Sequence, residues 1–175
     1  LSTLMVGMVS LVGFAVSLYS ISYLGQVPDR RLGVQAFCMD LFLALMLLVV
    51  TVANGFYFLV FWEMMTLASY FLVISEGRNG EAVRAGYLYM LIAHAGGALI
   101  MLSFFVFFMT TGSFDFAAFR QAELSPALRS LVFLLAFVGF GAKAGMVPLH
   151  VWMPPAYSAA PANASALMAS VMKKT

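Results

Sequence analysis

Residues 131 to 150 read LVFLLAFVGFGAKAGMVPLH, an apolar run that contains Lys143 and, about one helical turn later, Pro148. About 20 helical residues cross the ~30 Å hydrocarbon core of a bilayer, which is the length of this run. A charged side chain at that depth costs about 2.5–3.5 kcal/mol on insertion scales, and a proline inside a helix removes a backbone hydrogen bond. We therefore predict a membrane helix that is broken beside a buried lysine.

Four further apolar segments are long enough to span a bilayer. They lie at about 2–24, 34–53, 56–75 and 85–111, and the quoted run extends from about 126 to 149. Ser125 and Pro126 fit the start of that last helix, as N-cap and first helical residue. A sixth helix is predicted to begin near Ala164, and the segment 112–124 is predicted to hold a short helix at the membrane interface. The prediction is an all-α integral membrane protein, a polytopic bundle of five complete transmembrane helices plus the start of a sixth.

Composition supports the same class. The 175 residues are 63% hydrophobic and only 9% charged, whereas a soluble domain of this length needs more polar surface. The apolar segments show no period-2 alternation, which argues against a β-barrel. A net charge of +2 indicates no basic patch for nucleic acid. Cys38 is the only cysteine, which excludes an intrachain disulfide framework and a thiolate metal cluster.

The two ends of the sequence indicate a fragment. The chain starts at Leu1 without a methionine or a basic stretch ahead of its first apolar segment, and it ends in VMKKT, inside the predicted sixth helix. We expect a piece of a longer membrane protein, with no cleaved signal peptide.

Ionisable side chains at membrane depth are few, and each is a candidate functional residue. Glu63 and Lys143 have opposite charges at similar depth, so we predict that they face one interior cavity and pair directly or through a water. A fixed buried ion pair and a titratable pair both fit this pattern. In the titratable case the proton affinity of the lysine depends on where the carboxylate sits, and the pair acts as a proton-transfer switch.

The two histidines are weaker candidates. His94 lies in the middle of its segment and fits either a hydrogen-bonded packing residue or a proton relay, because its ordinary pKa is near neutrality. His150 lies near the predicted membrane surface, where it is a candidate for gating proton entry.

Prolines follow Lys143 closely. Pro148 cannot donate to the carbonyl of Ala144, so we predict that hydrogen bonding fails between Ala144 and Pro148, where water can reach the amine. With Pro154, Pro155 and Pro161 following, residues 148–161 are not expected to form regular helix. Small residues at four-residue spacing, Ala93 with Gly97 and Gly141 with Gly145, predict close helix packing.

Two longer stretches carry a family resemblance. Residues 61–73, FWEMMTLASYFLV, and residues 139–175, with the spacing K-x-x-x-x-P-x-H-x-W-x-P, resemble the antiporter-like membrane subunits of respiratory complex I, Mrp-type cation/proton antiporters and membrane-bound hydrogenases. The sequences LASYFLVIS, LIAHAGGALIML and FGFGAKAGMVPLH are most similar to those of the large membrane subunits of hydrogenase-4 and formate hydrogenlyase.

The resemblance implies a fragment of a fourteen-helix fold with two inverted five-helix repeats. Residues 1–33 would be a helix and loop preceding the first repeat, and 34–175 that repeat, truncated at its C-terminus. The family's glutamate, broken-helix lysine and following lysine correspond to Glu63, Lys143 and Lys174. Lys173 has no counterpart that we assign.

These observations leave several functions open. The leading expectation is a proton-translocating subunit of a respiratory or hydrogenase oxidoreductase complex in a prokaryotic plasma membrane, without a redox site, cofactor or metal of its own. Its partners would be other membrane subunits, a peripheral redox arm and the lipid bilayer. The alternatives are a sodium/proton antiporter subunit of Mrp type, a haem subunit with His94 and His150 as axial ligands, and a non-pumping structural anchor.

Overall fold

The computed structural model describes residues 1–24, 29–75 and 80–173, and this part of the chain is almost entirely helical. The α-helices are α1 Ser2–Leu24, α2 Asp29–Thr51, α3 Gly55–Ser75, α4 Gly80–Thr111, α5 Phe116–Gln121, α6 Pro126–Ala144, α7 Met153–Ala159 and α8 Ala162–Leu167. A 3-10 turn at Leu149–Trp152 precedes α7, and a π-helical turn at Met168–Met172 follows α8. The described residues form no β-strand and include five spans long and apolar enough to cross a membrane. The predicted fold class is confirmed.

Helices α2 and α4 begin before their apolar segments. The structure starts them at Asp29 and Gly80, whereas hydropathy placed their starts near 34 and 85. The added turns are polar, with sequences DRRLG and GEAVR. Hydropathy marks where lipid contact begins, while arginine, glutamate and alanine continue a helix into water.

The predicted break beside Lys143 is confirmed, but its cause differs from the prediction. Helix α6 ends at Ala144, and Gly145 adopts the left-handed conformation at φ 78°. That conformation is unfavourable for residues with a Cβ, so a glycine ends the helix before Pro148 is reached. Pro148 lies in the turn that follows, as the N-cap of the 3-10 turn Leu149–Trp152.

The prediction that 148–161 is not regular helix holds for the segment as a whole but is wrong for seven of its residues. Residues Met153–Ala159 form α7, with Pro154 and Pro155 in its first turn. The first-turn N–H groups of a helix have no intrahelical acceptor, so proline removes no hydrogen bond there. Pro161 is the N-cap of α8, which is likewise compatible with a helix start.

Close packing of α4 on α6 depends on glycines other than those predicted. A Cβ added to Gly96 would lie 2.9 Å from the carbonyl oxygen of Gly139, and a Cβ on Gly139 would lie 2.7 Å from that of Gly96. The two backbones therefore meet at this pair. Of the predicted positions, Gly141 lies against the side chain of Met146, in the turn that follows α6, and Gly145 is the C-cap of α6.

The C-terminal elements return to the first helix and to the centre of the bundle. Helix α8 packs on α1, where the Nδ2 of Asn163 donates to the Oγ of Ser20 at 3.0 Å. The π-helical turn then carries Met172 to within 3.8 Å of the hydroxyl of Tyr89 on α4. The broken segment and the end of the described chain thus converge on the interior that contains Lys143.

Candidate functional site

Lys143 lies in the last turn of α6 and points into the bundle. Only 3% of the residue is exposed, although its side chain carries an amine. A buried charge requires partners that replace its hydration. The nature of those partners determines what the lysine can do.

The end of α6 is closed by hydrogen bonds on the residues around Lys143. The N–H groups of Gly145 and Met146 both donate to the carbonyl of Gly141. The carbonyl of Ala142, in the last turn where no helical donor follows, accepts from Nε1 of Trp152 at 2.9 Å. This hydrogen bond holds the segment after the break against the last turn of α6, next to Lys143.

Two hydroxyl groups hold the Lys143 amine. The Nζ atom donates to Oγ1 of Thr66 at 3.0 Å and to the hydroxyl oxygen of Tyr89 at 3.3 Å. The same nitrogen lies 5.3 Å from the ring centroid of Trp62 and 5.6 Å from that of Tyr89, within the range of cation–π attraction. All three partners are buried and uncharged.

The hydrogen bonds around these hydroxyls orient them as acceptors for the amine. Thr66 donates its own proton to the carbonyl of Trp62 at 3.0 Å. Ser69 lies 2.6 Å from the Tyr89 hydroxyl and 2.9 Å from the carbonyl of Met65. A carbonyl can only accept, so Ser69 donates to it and can accept from Tyr89. Both hydroxyl oxygens then present a lone pair to the amine.

Glu63 does not pair directly with Lys143. No carboxylate of the described residues forms an ion pair with Lys143 within 4.0 Å, and Glu63 instead places Oε2 3.4 Å from Nε2 of His94. Of the two predicted forms, the direct pair is therefore wrong, because the hydroxyl of Thr66, one turn along α3, takes the place next to the amine. The water-bridged pair stays a prediction. Glu63 remains close enough to act electrostatically on the lysine.

His94 lies between a backbone carbonyl and the carboxylate of Glu63. Nδ1 of His94 lies 3.1 Å from the carbonyl oxygen of Met90, and since a carbonyl only accepts, Nδ1 carries a proton. Nε2 then faces the carboxylate of Glu63. Two lone pairs would repel each other, so this contact is favourable when a proton lies on Nε2 or on the carboxyl group. This pair lies on the outer side of the described bundle, with side chains 47% and 35% exposed.

Gly97 makes room for the glutamate. A Cβ added at this position of α4 would overlap Oε1 of Glu63. The four-residue spacing of Ala93 and Gly97 was predicted to serve helix packing, and Ala93 is indeed buried. The absence of a side chain at Gly97 instead gives the carboxylate its place beside α4.

His150 and Lys173 are not brought to this site. His150 lies in the 3-10 turn, where its Nδ1 is inaccessible and has no hydrogen-bond partner in the part of the chain that the structure describes. Lys173 places Nζ 5.9 Å from the ring centroid of Tyr157. Lys174 lies outside the described residues.

Sequence reasoning missed Thr66 and Tyr89. Thr66 follows Glu63 by three residues and Ser69 follows Thr66 by three, so helical spacing makes each of these residues a neighbour of the one before it on α3, a signal that was present. Tyr89 had no such signal, because only the packing of α4 against α6 brings it to the lysine. A tyrosine in a membrane segment fits lipid contact equally well.

The donor set does not favour a metal or haem. Within the described ranges, no group of three or more histidine, cysteine, aspartate or glutamate side chains could hold a metal ion. Both ring nitrogens of His94 have neighbours, the Met90 carbonyl and the Glu63 carboxylate. A haem iron bound at Nε2 of His94 would have to displace the carboxylate of Glu63.

Comparison with known proteins shows the family. Residues 53–175 match the model of the family described as NADH:quinone oxidoreductase/Mrp antiporter, TM. Hydrogenase-4 component B of Escherichia coli (strain K12) is 49% identical over 174 residues, which cover 99% of this chain and 26% of that protein. The chain belongs to the NADH:quinone oxidoreductase/Mrp antiporter family and is a multi-pass membrane protein. It spans about a quarter of the length of that relative.

Two solved structures share the fold. A chain of the membrane-bound sulfane sulfur reductase, an archaeal respiratory membrane complex, superposes with a TM-score of 0.85 at 21% identity, covering 95% of this chain and 34% of that one. A chain of respiratory complex I from Thermus thermophilus with bound aureothin gives 0.78 at 24% identity, covering 97% and 37%. At these identities the similarity shows the fold alone.

Proposed function

We propose that this member of the NADH:quinone oxidoreductase/Mrp antiporter family translocates protons as a membrane subunit of a respiratory or hydrogenase oxidoreductase complex. Its site lies in residues 34–175, which we assign to the first antiporter-like repeat, incomplete at its C-terminus. Redox chemistry in partner subunits supplies the driving force. The partners are further membrane subunits and a peripheral redox arm, in the plasma membrane of a prokaryote.

The single observation that carries this proposal is the neutral surrounding of the Lys143 amine. A lysine fixed by a carboxylate is held in its charged form, whereas hydroxyls and aromatic rings stabilise the ammonium without trapping the proton. Lys143 is buried at the end of a broken helix and is held by two hydroxyls, at 3.0 and 3.3 Å. A proton can therefore bind and leave without breaking a carboxylate pair.

The second step is the role of Glu63. Its carboxylate is near enough to influence the amine electrostatically, while the amine itself bonds to the hydroxyl of Thr66. Protonation of the Glu63–His94 pair changes the charge that the amine experiences. We assign Glu63 to the control of the proton affinity of Lys143, and His94, 3.4 Å from Glu63, remains a candidate proton relay beside it.

The third step is the release of the proton from Lys143 to the next acceptor. Lys173 directly follows the π-helical turn. The last residue of that turn, Met172, lies 3.8 Å from the hydroxyl of Tyr89, which in turn contacts the Lys143 amine. Lys174 is the next residue along the chain, and we assign it as the acceptor after Lys143. His150, in the 3-10 turn of the broken segment, remains a candidate gate.

The test is proton uptake by vesicles that carry the intact complex with the full-length protein. Lys143→Ala should abolish uptake, and Glu63→Gln should sharply reduce it, while the complex still assembles. Glu81→Gln, a change at an exposed carboxylate in the first turn of α4, is the matched control and should be without effect. Uptake that depends on sodium would instead favour the Mrp-type antiporter. Normal uptake after Lys143→Ala would contradict the proposal.

A further inference from the structure

We infer that Tyr89 is a positioning residue that holds the Lys143 amine in both of its charge states. This rests on the proton transport proposed above, because a lysine that never released its proton would need an acceptor only. Tyr89 was not among the residues that the sequence analysis singled out.

Tyr89 is fully buried, and its hydroxyl contacts side chains from three other elements. The oxygen is 3.3 Å from Nζ of Lys143, 2.6 Å from Oγ of Ser69 and 3.8 Å from Sδ of Met172. The ring packs on that of Trp152 with centroids 4.9 Å apart. The phenol is therefore fixed by packing, and its hydroxyl has groups on three sides.

The first charge state is the ammonium. An ammonium has three protons and no acceptor, so the Tyr89 oxygen must accept from it. The phenol proton then goes to the Ser69 oxygen or to the sulfur of Met172. Ser69 can receive it because its own proton has a backbone acceptor, the carbonyl of Met65 or of Thr66, each at 2.9 Å.

The second charge state is the free amine, whose nitrogen has gained a lone pair. Thr66 cannot serve that lone pair without giving up its bond to the carbonyl of Trp62. Tyr89 can serve it by rotating its O–H from Ser69 to Nζ, without moving a heavy atom. Ser69 can then turn its own proton to the phenol oxygen, which costs its bond to a carbonyl of its own helix. One residue thus satisfies the amine before and after the proton leaves.

The neighbouring charged groups do not replace this function. Glu63 on α3 acts on the lysine only electrostatically, and His94 on α4 is paired with Glu63. Among the described residues, the hydrogen-bond acceptors of the Lys143 amine are the hydroxyls of Thr66 and Tyr89.

The test is Tyr89→Phe in the intact complex, which removes the hydroxyl and keeps the ring on Trp152. Loss of a buried hydrogen bond to a charged group should lower proton uptake about tenfold or more and change its dependence on pH. Tyr87→Phe is the matched control, because Tyr87 lies on the same helix and is 66% exposed. It should leave both the rate and the pH profile unchanged.

The outcomes separate this inference from the proposed function. If Lys143→Ala leaves uptake intact, the proposed function fails. If Lys143→Ala abolishes uptake but Tyr89→Phe keeps the normal rate and pH profile, only the role of Tyr89 is overturned. A lower rate with an unchanged pH profile would show a packing role and would also overturn it. If Tyr89→Phe fails to assemble, Ser69→Ala serves instead, and it should give a smaller change of the same pH profile; a normal profile would overturn the inference.

Discussion

The amine nitrogen of Lys143, on α6, lies 3.0 Å from Oγ1 of Thr66, on α3. The threonine donates its proton to the carbonyl of Trp62 and therefore accepts from the lysine. A neutral hydroxyl takes the position that a carboxylate occupies in a buried ion pair. Because the nearest partner is uncharged, the charge of Lys143 depends on more distant groups and can change.

Replacing Thr66 tests this contact directly. Thr66→Val keeps the shape of the side chain and removes the acceptor, so proton uptake should fall about tenfold, whereas Thr66→Ser should retain most of it. Uptake is measured in vesicles carrying the intact complex. Thr51→Val is the control, since Thr51 is exposed at the end of α2 and bonds to the carbonyls of Leu47 and Leu48 in its own helix. Equal rates for the valine and serine variants at position 66 would show that the hydroxyl is not needed.

Gly97 offers a test of Glu63 that leaves the glutamate itself in place. In Gly97→Ala the added methyl group would overlap Oε1 of Glu63, so the carboxylate must turn away from α4. The helix itself gains about 0.5–1 kcal/mol from replacing glycine, so assembly should survive while uptake falls several-fold. Gly7→Ala, where a Cβ meets nothing within 4 Å, should leave uptake normal. Equal uptake in the two variants would mean that the position of the carboxylate is unimportant.

The break after Lys143 can be tested through stability. Gly145→Ala places a Cβ at φ 78°, which costs about 1–2 kcal/mol, and the methyl group would also meet the side chain of Met153. Gly112→Ala carries the same backbone cost at φ 69° but meets nothing within 4 Å. The thermal midpoint of the purified complex should therefore drop further for Gly145→Ala than for Gly112→Ala. Equal midpoints would show that the contact with Met153 adds nothing.

The helices were predictable because a bilayer permits few alternatives. Backbone groups in hydrocarbon must be satisfied internally, so long apolar segments become helices. The end of α6 was also readable, since a basic last turn, a glycine and a later proline are typical of a helix C-terminus. Gly145 was interpreted as a packing residue, and this is why the break was attributed to Pro148.

The site was less predictable, because opposite charges are conspicuous in an apolar sequence and hydroxyls are not. Glu63 and Lys143 stood out, and the prediction paired them with each other, directly or through a water. A threonine or serine in a membrane helix commonly bonds to a carbonyl of its own helix, as Thr66 and Ser69 do. Only the packing of α3, α4 and α6 shows that the hydroxyl of Thr66 also reaches an amine.

The most direct test of the account is Lys143→Arg in the full-length protein. Guanidinium is also positive, but it stays protonated at any relevant pH and cannot release a proton. Proton uptake is measured in vesicles that carry the intact complex, with assembly checked separately by the amount of complex purified. Uptake should be lost while assembly remains. Normal uptake with arginine at position 143 would show that the residue is a fixed positive charge, and that protons do not pass through it.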